Sequence, residues 1–145
     1  MRIFKNLLYL VAGSAITLVA QSVSSSTKYV SPNGTTELKV LLDESNLGGT
    51  ELDLGEMTFA PNLDSGEHVH GATEIFYVLS GELEHVVNGK STFVKPGMVG
   101  FVRPPDTVRH KTGPNGPTKA LVIWAPGGEA GRIASRWKKV EGAVK

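Results

Sequence analysis

The chain has 145 residues, and its 15 lysine and arginine residues nearly balance its 14 aspartate and glutamate residues, giving a net charge of +1. This balance gives no electrostatic case for nucleic-acid binding, and the absence of cysteine excludes disulfides, thiolate metal sites and a cysteine nucleophile. The 17 glycines and 8 prolines indicate many turns, which favours a strand-rich fold over a helical bundle.

The first 22 residues have the pattern of a secretory signal. Arg2 and Lys5 precede an apolar run over residues 7–20, and small polar residues follow it. The run is shorter than the roughly 20 apolar residues that a membrane span needs. We therefore predict a signal peptide over residues 1–22 and an exported protein, periplasmic or extracellular, with no membrane association in its mature form. An uncleaved anchor that holds the same domain outside the membrane is the alternative.

Removal of residues 1–22 would leave 13 basic and 14 acidic residues, a net charge of −1. Residues 23–35 are rich in serine, threonine, asparagine, proline and glycine, so we predict a flexible N-terminal arm there. At the other end, residues 127–145 form a predicted tail. Apolar residues recur at helical spacing between positions 132 and 140, and we expect a short helix in that segment.

Between these two ends the chain alternates strand-like runs with turns. Predicted strands cover residues 36–42, 51–60, 74–79, 82–87, 90–94, 98–102, 108–110 and 119–124. The run at 74–79 is the most apolar, so we predict a strand buried on both faces. Asn88-Gly89 between two runs indicates a tight hairpin, since both central positions of a type I′ turn need positive φ. The pattern predicts an all-β domain over residues 36–126, an antiparallel barrel or sandwich.

The segment His-Val-His-Gly-Ala-Thr-Glu at positions 68–74 carries the strongest chemical signal. On an extended chain, side chains two residues apart leave the same face, so His68, His70 and Glu74 are expected to point the same way. Two imidazoles and a carboxylate form part of a metal site. His110, at the end of a separate predicted strand, is the best candidate for a further ligand.

This segment resembles the first motif of the cupin family, H-x-H-x3-E-x6-G, with Gly81 at the last position. The glycine that leads the motif in the family is replaced by Asn62, the residue next most tolerant of left-handed φ. The second motif, P-x-G-x2-H-x3-N, is similar to the stretch from Pro105 to Pro114, where Thr107 replaces the glycine and Pro114 the asparagine.

The resemblance implies a single cupin barrel of the double-sheet, jelly-roll type, similar to small quercetin-dioxygenase-like proteins. It implies that His68, His70, Glu74 and His110 bind one divalent ion, and that the protein is a homodimer. Three imidazoles and a carboxylate suit Fe(II), Mn(II), Ni(II), Cu(II) or Zn(II), and the residues do not choose among them. Glu74 is also a candidate catalytic group that accepts a substrate proton.

Three functions are compatible with such a centre. The first is a metal-dependent, dioxygenase-like oxidoreductase acting on a small oxygenated or aromatic compound. The second is a metal-dependent isomerase or lyase that polarises a carbonyl group, and the third is a non-catalytic module that binds a small ligand or a metal. The fold alone does not decide between them. His85 has no place in either motif, so we predict a solvent-facing or barrel-facing strand residue rather than a ligand.

Overall fold

The computed structural model describes residues 26–141 and shows two antiparallel β-sheets with two short helices. The strands are β1 (Thr27–Val30), β2 (Thr36–Leu42), β3 (Asp53–Phe59), β4 (Thr73–Ser80), β5 (Leu83–Val87), β6 (Lys90–Val94), β7 (Val99–Val102), β8 (Val108–Thr112), β9 (Thr118–Ala125) and β10 (Lys138–Val140). The helices are α1 (Glu44–Leu47) and α2 (Glu129–Ala134). The all-β, jelly-roll prediction is confirmed. The predicted signal peptide lies outside the described residues.

The larger sheet has seven strands in the order β10-β1-β2-β3-β9-β4-β7, and the smaller has the order β6-β5-β8. Strands β3 and β9 alternate strictly between more and less buried side chains, as expected when one face of a sheet covers a core. The core joins side chains of both sheets, such as Phe76 and Val122 from the larger and Leu83 from the smaller. In residues 26–141 no helix has the length and apolar character required to span a membrane.

Turn positions follow the sequence signals. Asn88 and Gly89 both have positive φ, 49° and 78°, and the flanking residues of β5 and β6 pair directly. Asn62 also has positive φ, 56°, so asparagine takes up the left-handed conformation at the place of the family's glycine. At Gly81, with φ 76°, an added Cβ would lie 2.8 Å from the carbonyl oxygen of Pro117, which leaves room only for glycine.

Strand β4 differs from its prediction. Its burial alternates, with Phe76 and Val78 inside and Tyr77 and Leu79 outside, so the strand is not buried on both faces. The reason is that the smaller sheet covers only the inner face of the larger one. The outer face of β4 therefore carries large apolar side chains at the surface, which a run of apolar residues in the sequence cannot distinguish from a second core face.

The two ends of the domain also differ from their predictions. Within the segment predicted as a flexible arm, residues 27–30 form β1, which pairs with both β2 and β10. The helix expected over 132–140 is instead α2, which ends at Ala134, and Lys138–Val140 forms β10. Both strands are short, and among the described strands β10 pairs only with β1, which lies more than 100 residues earlier in the chain, so local composition dominated both predictions.

Candidate metal centre

Three histidines from two parts of the chain meet inside the fold. His68 and His70 precede β4, and His110 lies on β8. One ring nitrogen from each lies within 4.8 Å of the others, a group that can hold a metal ion. A pair of backbone hydrogen bonds between His68 and Val108, of 2.9 and 2.8 Å, ties the first segment to β8. The structure thus brings together the three predicted histidine ligands, and their binding of an ion remains a prediction.

Glu74 lies beside this group, on β4, and is only 2% exposed. Its Oε2 atom is 2.9 Å from Nε2 of His70 and 3.4 Å from Nε2 of His110. Its other oxygen, Oε1, accepts a hydrogen bond of 2.8 Å from Nε1 of Trp124, the residue directly opposite on β9. Trp124 therefore fixes one carboxylate oxygen and turns the other towards the histidines. No motif in the sequence marks Trp124 for this role.

The Nδ1 atoms of His68 and His70 face hydrogen-bond acceptors. Nδ1 of His68 donates to the carbonyl oxygen of Gly66 at 3.0 Å, and Nδ1 of His70 donates to Oε1 of Glu129 at 2.8 Å. Carbonyl and carboxylate oxygens only accept, so each Nδ1 carries the proton. In the neutral ring the Nε2 atom then holds a lone pair, which is the form that binds a metal.

In His110, too, a proton on Nδ1 would leave a lone pair on Nε2, and here the partner of Nδ1 is a second histidine. Nε2 of His85 donates to the carbonyl oxygen of Phe101 at 3.0 Å, and burial lowers the pKa of His85, which keeps the ring neutral. Nδ1 of His85 is therefore an acceptor, and Nδ1 of His110 lies 3.4 Å from it. We assign the shared proton to His110, which leaves its Nε2 atom bare. His85 is thus a buried, barrel-facing partner of the centre, as one of its two predicted alternatives had it.

Three candidate ligand atoms are buried and, among the described residues, have no polar partner other than one another: Nε2 of His70, Oε2 of Glu74 and Nε2 of His110. Native proteins rarely leave buried polar atoms unsatisfied, because each costs free energy. Here all three are electron-pair donors that point at one another. A cation between them would satisfy all three at once, so the donor set fits a divalent metal ion.

The pKa values point to the same need for positive charge. Burial alone would lower the pKa of His70, but hydrogen bonds to Glu129 and Glu74 outweigh it and raise that pKa to about 9. Burial would raise the pKa of Glu74, but His110 and His70 outweigh it and lower that pKa to about 2. A proton on His70 therefore supplies the positive charge when no metal is bound.

Glu129 is the functional residue that sequence reasoning missed. It lies at the start of α2, it is 4% exposed, and it also accepts a hydrogen bond of 2.9 Å from Nε of Arg132. A carboxylate that orients a metal-binding histidine is a common feature of metal sites. No sequence signal marked it, because it stands 59 residues after His70 in a stretch that reads as a turn.

A cavity of about 790 Å³ opens beside the centre. The histidines and Glu74 form part of its wall, and apolar side chains such as Met57, Phe59 and Phe76 form another part. Segment 132–137 adds Arg132 and Arg136 to the lining. Cavities of this size, apolar with a few convergent polar groups, are typical of small-molecule sites.

Residues 55–126 match the family model of the cupin domain, Cupin_2. No curated protein matched the chain. Among solved structures, the polyketide cyclase RemF from Streptomyces resistomycificus is 26% identical, with a TM-score of 0.60 over 68% of this chain and 73% of that one. A predicted oxalate decarboxylase from Thermotoga maritima is 24% identical, with a TM-score of 0.60 over 70% and 92%. KdgF from a Halomonas species is 14% identical, with a TM-score of 0.61 over 70% and 88%.

Proposed function

This chain belongs to the cupin family, and we propose that it binds one divalent metal ion through His68, His70, Glu74 and His110 and uses it to transform a small molecule. The observation that carries the proposal is the set of buried ligand atoms that, among the described residues, contact only one another, on side chains whose other polar atoms are already hydrogen-bonded. A surface cluster of histidines would have no reason to be held in this way.

We propose a dioxygenase-like oxidoreductase as the activity. A bound Fe(II) or Mn(II) ion, held by His68, His70, Glu74 and His110, would supply Lewis acidity and electrons for dioxygen. The chain's own residues would hold the substrate in the cavity, where Phe59 and Phe76 exclude water from one side. Both oxygen atoms would pass from dioxygen to the substrate, an oxygenated or aromatic compound, so that no further reductant is needed.

A metal-dependent lyase or isomerase is the second candidate. Its support is the structural likeness to a protein described as a polyketide cyclase and to one described as a predicted oxalate decarboxylase. In this reading the ion would polarise a carbonyl group, and Glu74 would have to accept or hold a proton. Binding without turnover is the third candidate, a module that holds a metal or a small ligand.

Oxygen consumption separates these candidates. The protein is loaded with Fe(II) or Mn(II) and tested against diketones, flavonols and phenols in an oxygen electrode, and in parallel under strict anoxia. Metal-dependent oxygen uptake supports the oxidoreductase, whereas turnover without oxygen supports the lyase or isomerase. Tight metal binding with no turnover in either condition leaves the binding module.

We also propose that the mature protein is exported and forms a homodimer. The basic and apolar character of residues 1–22 supports export. Dimerisation is supported by the outer face of β4 and β7, where Val99 and Phe101 are 58% and 61% exposed. Among the described strands β7 lies at the edge of the larger sheet, and an exposed apolar edge favours self-association.

A further inference from the structure

We propose that the small molecule held in the cavity carries a carboxylate group and that Arg136 binds it. This inference rests on the proposed function, because it places one end of the substrate at the metal centre. It adds the chemical class of the substrate and a residue that determines specificity.

Two of the arginines around the cavity are already paired with carboxylates. Asp64 pairs with Arg109, whose Nε donates to it at 2.6 Å, and Arg132 pairs with Glu129 at 2.9 Å. Both pairs are internally neutral. Within residues 26–141, the guanidinium of Arg136 has neither a hydrogen bond nor an ion pair, and Arg136 is among the residues that line the cavity. Arg136 is therefore the one arginine of the cavity wall that is available to a ligand.

The charge of the loaded site favours an anion. The two ion pairs cancel, and the carboxylate of Glu74 is balanced by the guanidinium of Arg136. A bound divalent ion would leave the cavity with two net positive charges, which raises the local concentration of anionic ligands. A neutral ligand would leave these two positive charges uncompensated.

The geometry of the group favours a carboxylate over other anions. A guanidinium presents two parallel N–H donors that match the two oxygens of a carboxylate. Next to Arg136, Ile133 and Trp137 are partly buried against the core and line the same cavity. They offer an apolar surface for the body of the ligand between its metal-binding end and its carboxylate. An aromatic or aliphatic compound with a carboxylate fits this site, with its carboxylate on Arg136, its apolar body against Ile133 and Trp137, and its other end at the metal centre.

The test uses probes whose metal-binding end is the same and whose other end differs. Protocatechuate and dihydrocaffeate each carry a catechol that can bind the ion and a carboxylate, and the distance between the two groups differs between the compounds. Their amides are the neutral counterparts. Binding is measured by calorimetry to Zn(II)-loaded protein, which avoids oxidation of the catechol. For at least one of the two acids, we expect the wild type to bind the acid about tenfold more tightly than its amide.

The variant Arg136→Gln should remove this preference by weakening the binding of the acid about tenfold. Arg103→Gln, which removes an arginine from the surface outside the cavity, is the matched control and should keep the preference. Zinc affinity and thermal unfolding are measured for all three proteins. Equal binding of acid and amide by the wild type, or the same preference in Arg136→Gln, would overturn the inference while the metal site stands. Absence of zinc binding in the wild type would instead overturn the proposed function.

Discussion

The contact between Glu129 and His70 gives the sharpest test of how the centre is built. Glu129→Gln keeps the size of the side chain but removes its charge, and the amide can present an N–H group to Nδ1 of His70. The native contact is short, 2.8 Å, and Glu129 is buried, so water cannot replace it. Loss of such an orienting carboxylate lowers metal affinity by about 10- to 100-fold, which corresponds to about 1.4–2.7 kcal/mol.

The assay is zinc affinity by competition with a chromophoric chelator. Arg132→Gln is one control, because it removes the guanidinium on Glu129 but leaves the contact with His70, and we expect a change of less than threefold. Glu56→Gln is the other, since it removes a surface ion pair with Lys119 and should leave zinc affinity unchanged. A Glu129→Gln protein that folds and binds zinc within twofold of the wild type would refute the orienting role of Glu129.

Three further predictions concern protonation, the partner of Glu74 and the outer face. The pKa of His70 is about 9 in the folded protein and 6.5 in the unfolded chain, so protonation of His70 stabilises the metal-free fold by at most about 3 kcal/mol. This contribution is fully present below pH 6.5 and is lost as the pH rises through about 9. Chemical unfolding with EDTA should show that loss, and His70→Gln should not. Trp124→Phe removes the donor to Glu74 and should lower the unfolding free energy by about 1–3 kcal/mol, measured in urea. Phe101→Glu should shift the protein from dimer to monomer in analytical ultracentrifugation; a monomeric wild type would contradict the dimer proposal.

Much of the fold was predictable because its strands carry local signals. The alternation in 36–42 and the Asn88-Gly89 turn are read within a few residues, and β2 and β6 have the predicted bounds. Burial of the outer face of β4 was predicted wrongly, because periodicity shows which residues are apolar and not which face another sheet covers. The short strands β1 and β10 escaped prediction: β1 lies in a segment rich in turn-forming residues, and β10 is defined by pairing with the distant β1.

The candidate site divides in the same way. His68, His70 and Glu74 were predictable because one extended segment presents them at fixed spacing, and His110 followed from the second motif. The residues that orient them, Glu129 and Trp124, come from distant elements, so no local pattern identifies them. His85 was placed on its strand correctly, but its hydrogen bond to His110 depends on the pairing of β5 with β8.

The metal content of the purified protein and of one variant tests directly whether the proposed ligands hold an ion. Wild-type protein and His110→Ala are exposed to equal Zn(II), passed through a desalting column and analysed by inductively coupled plasma mass spectrometry. We expect one retained ion per chain in the wild type and almost none in His110→Ala, because that variant loses the ligand contributed by the smaller sheet. A wild type that retains no zinc, or a His110→Ala protein that retains a full equivalent, would contradict this expectation.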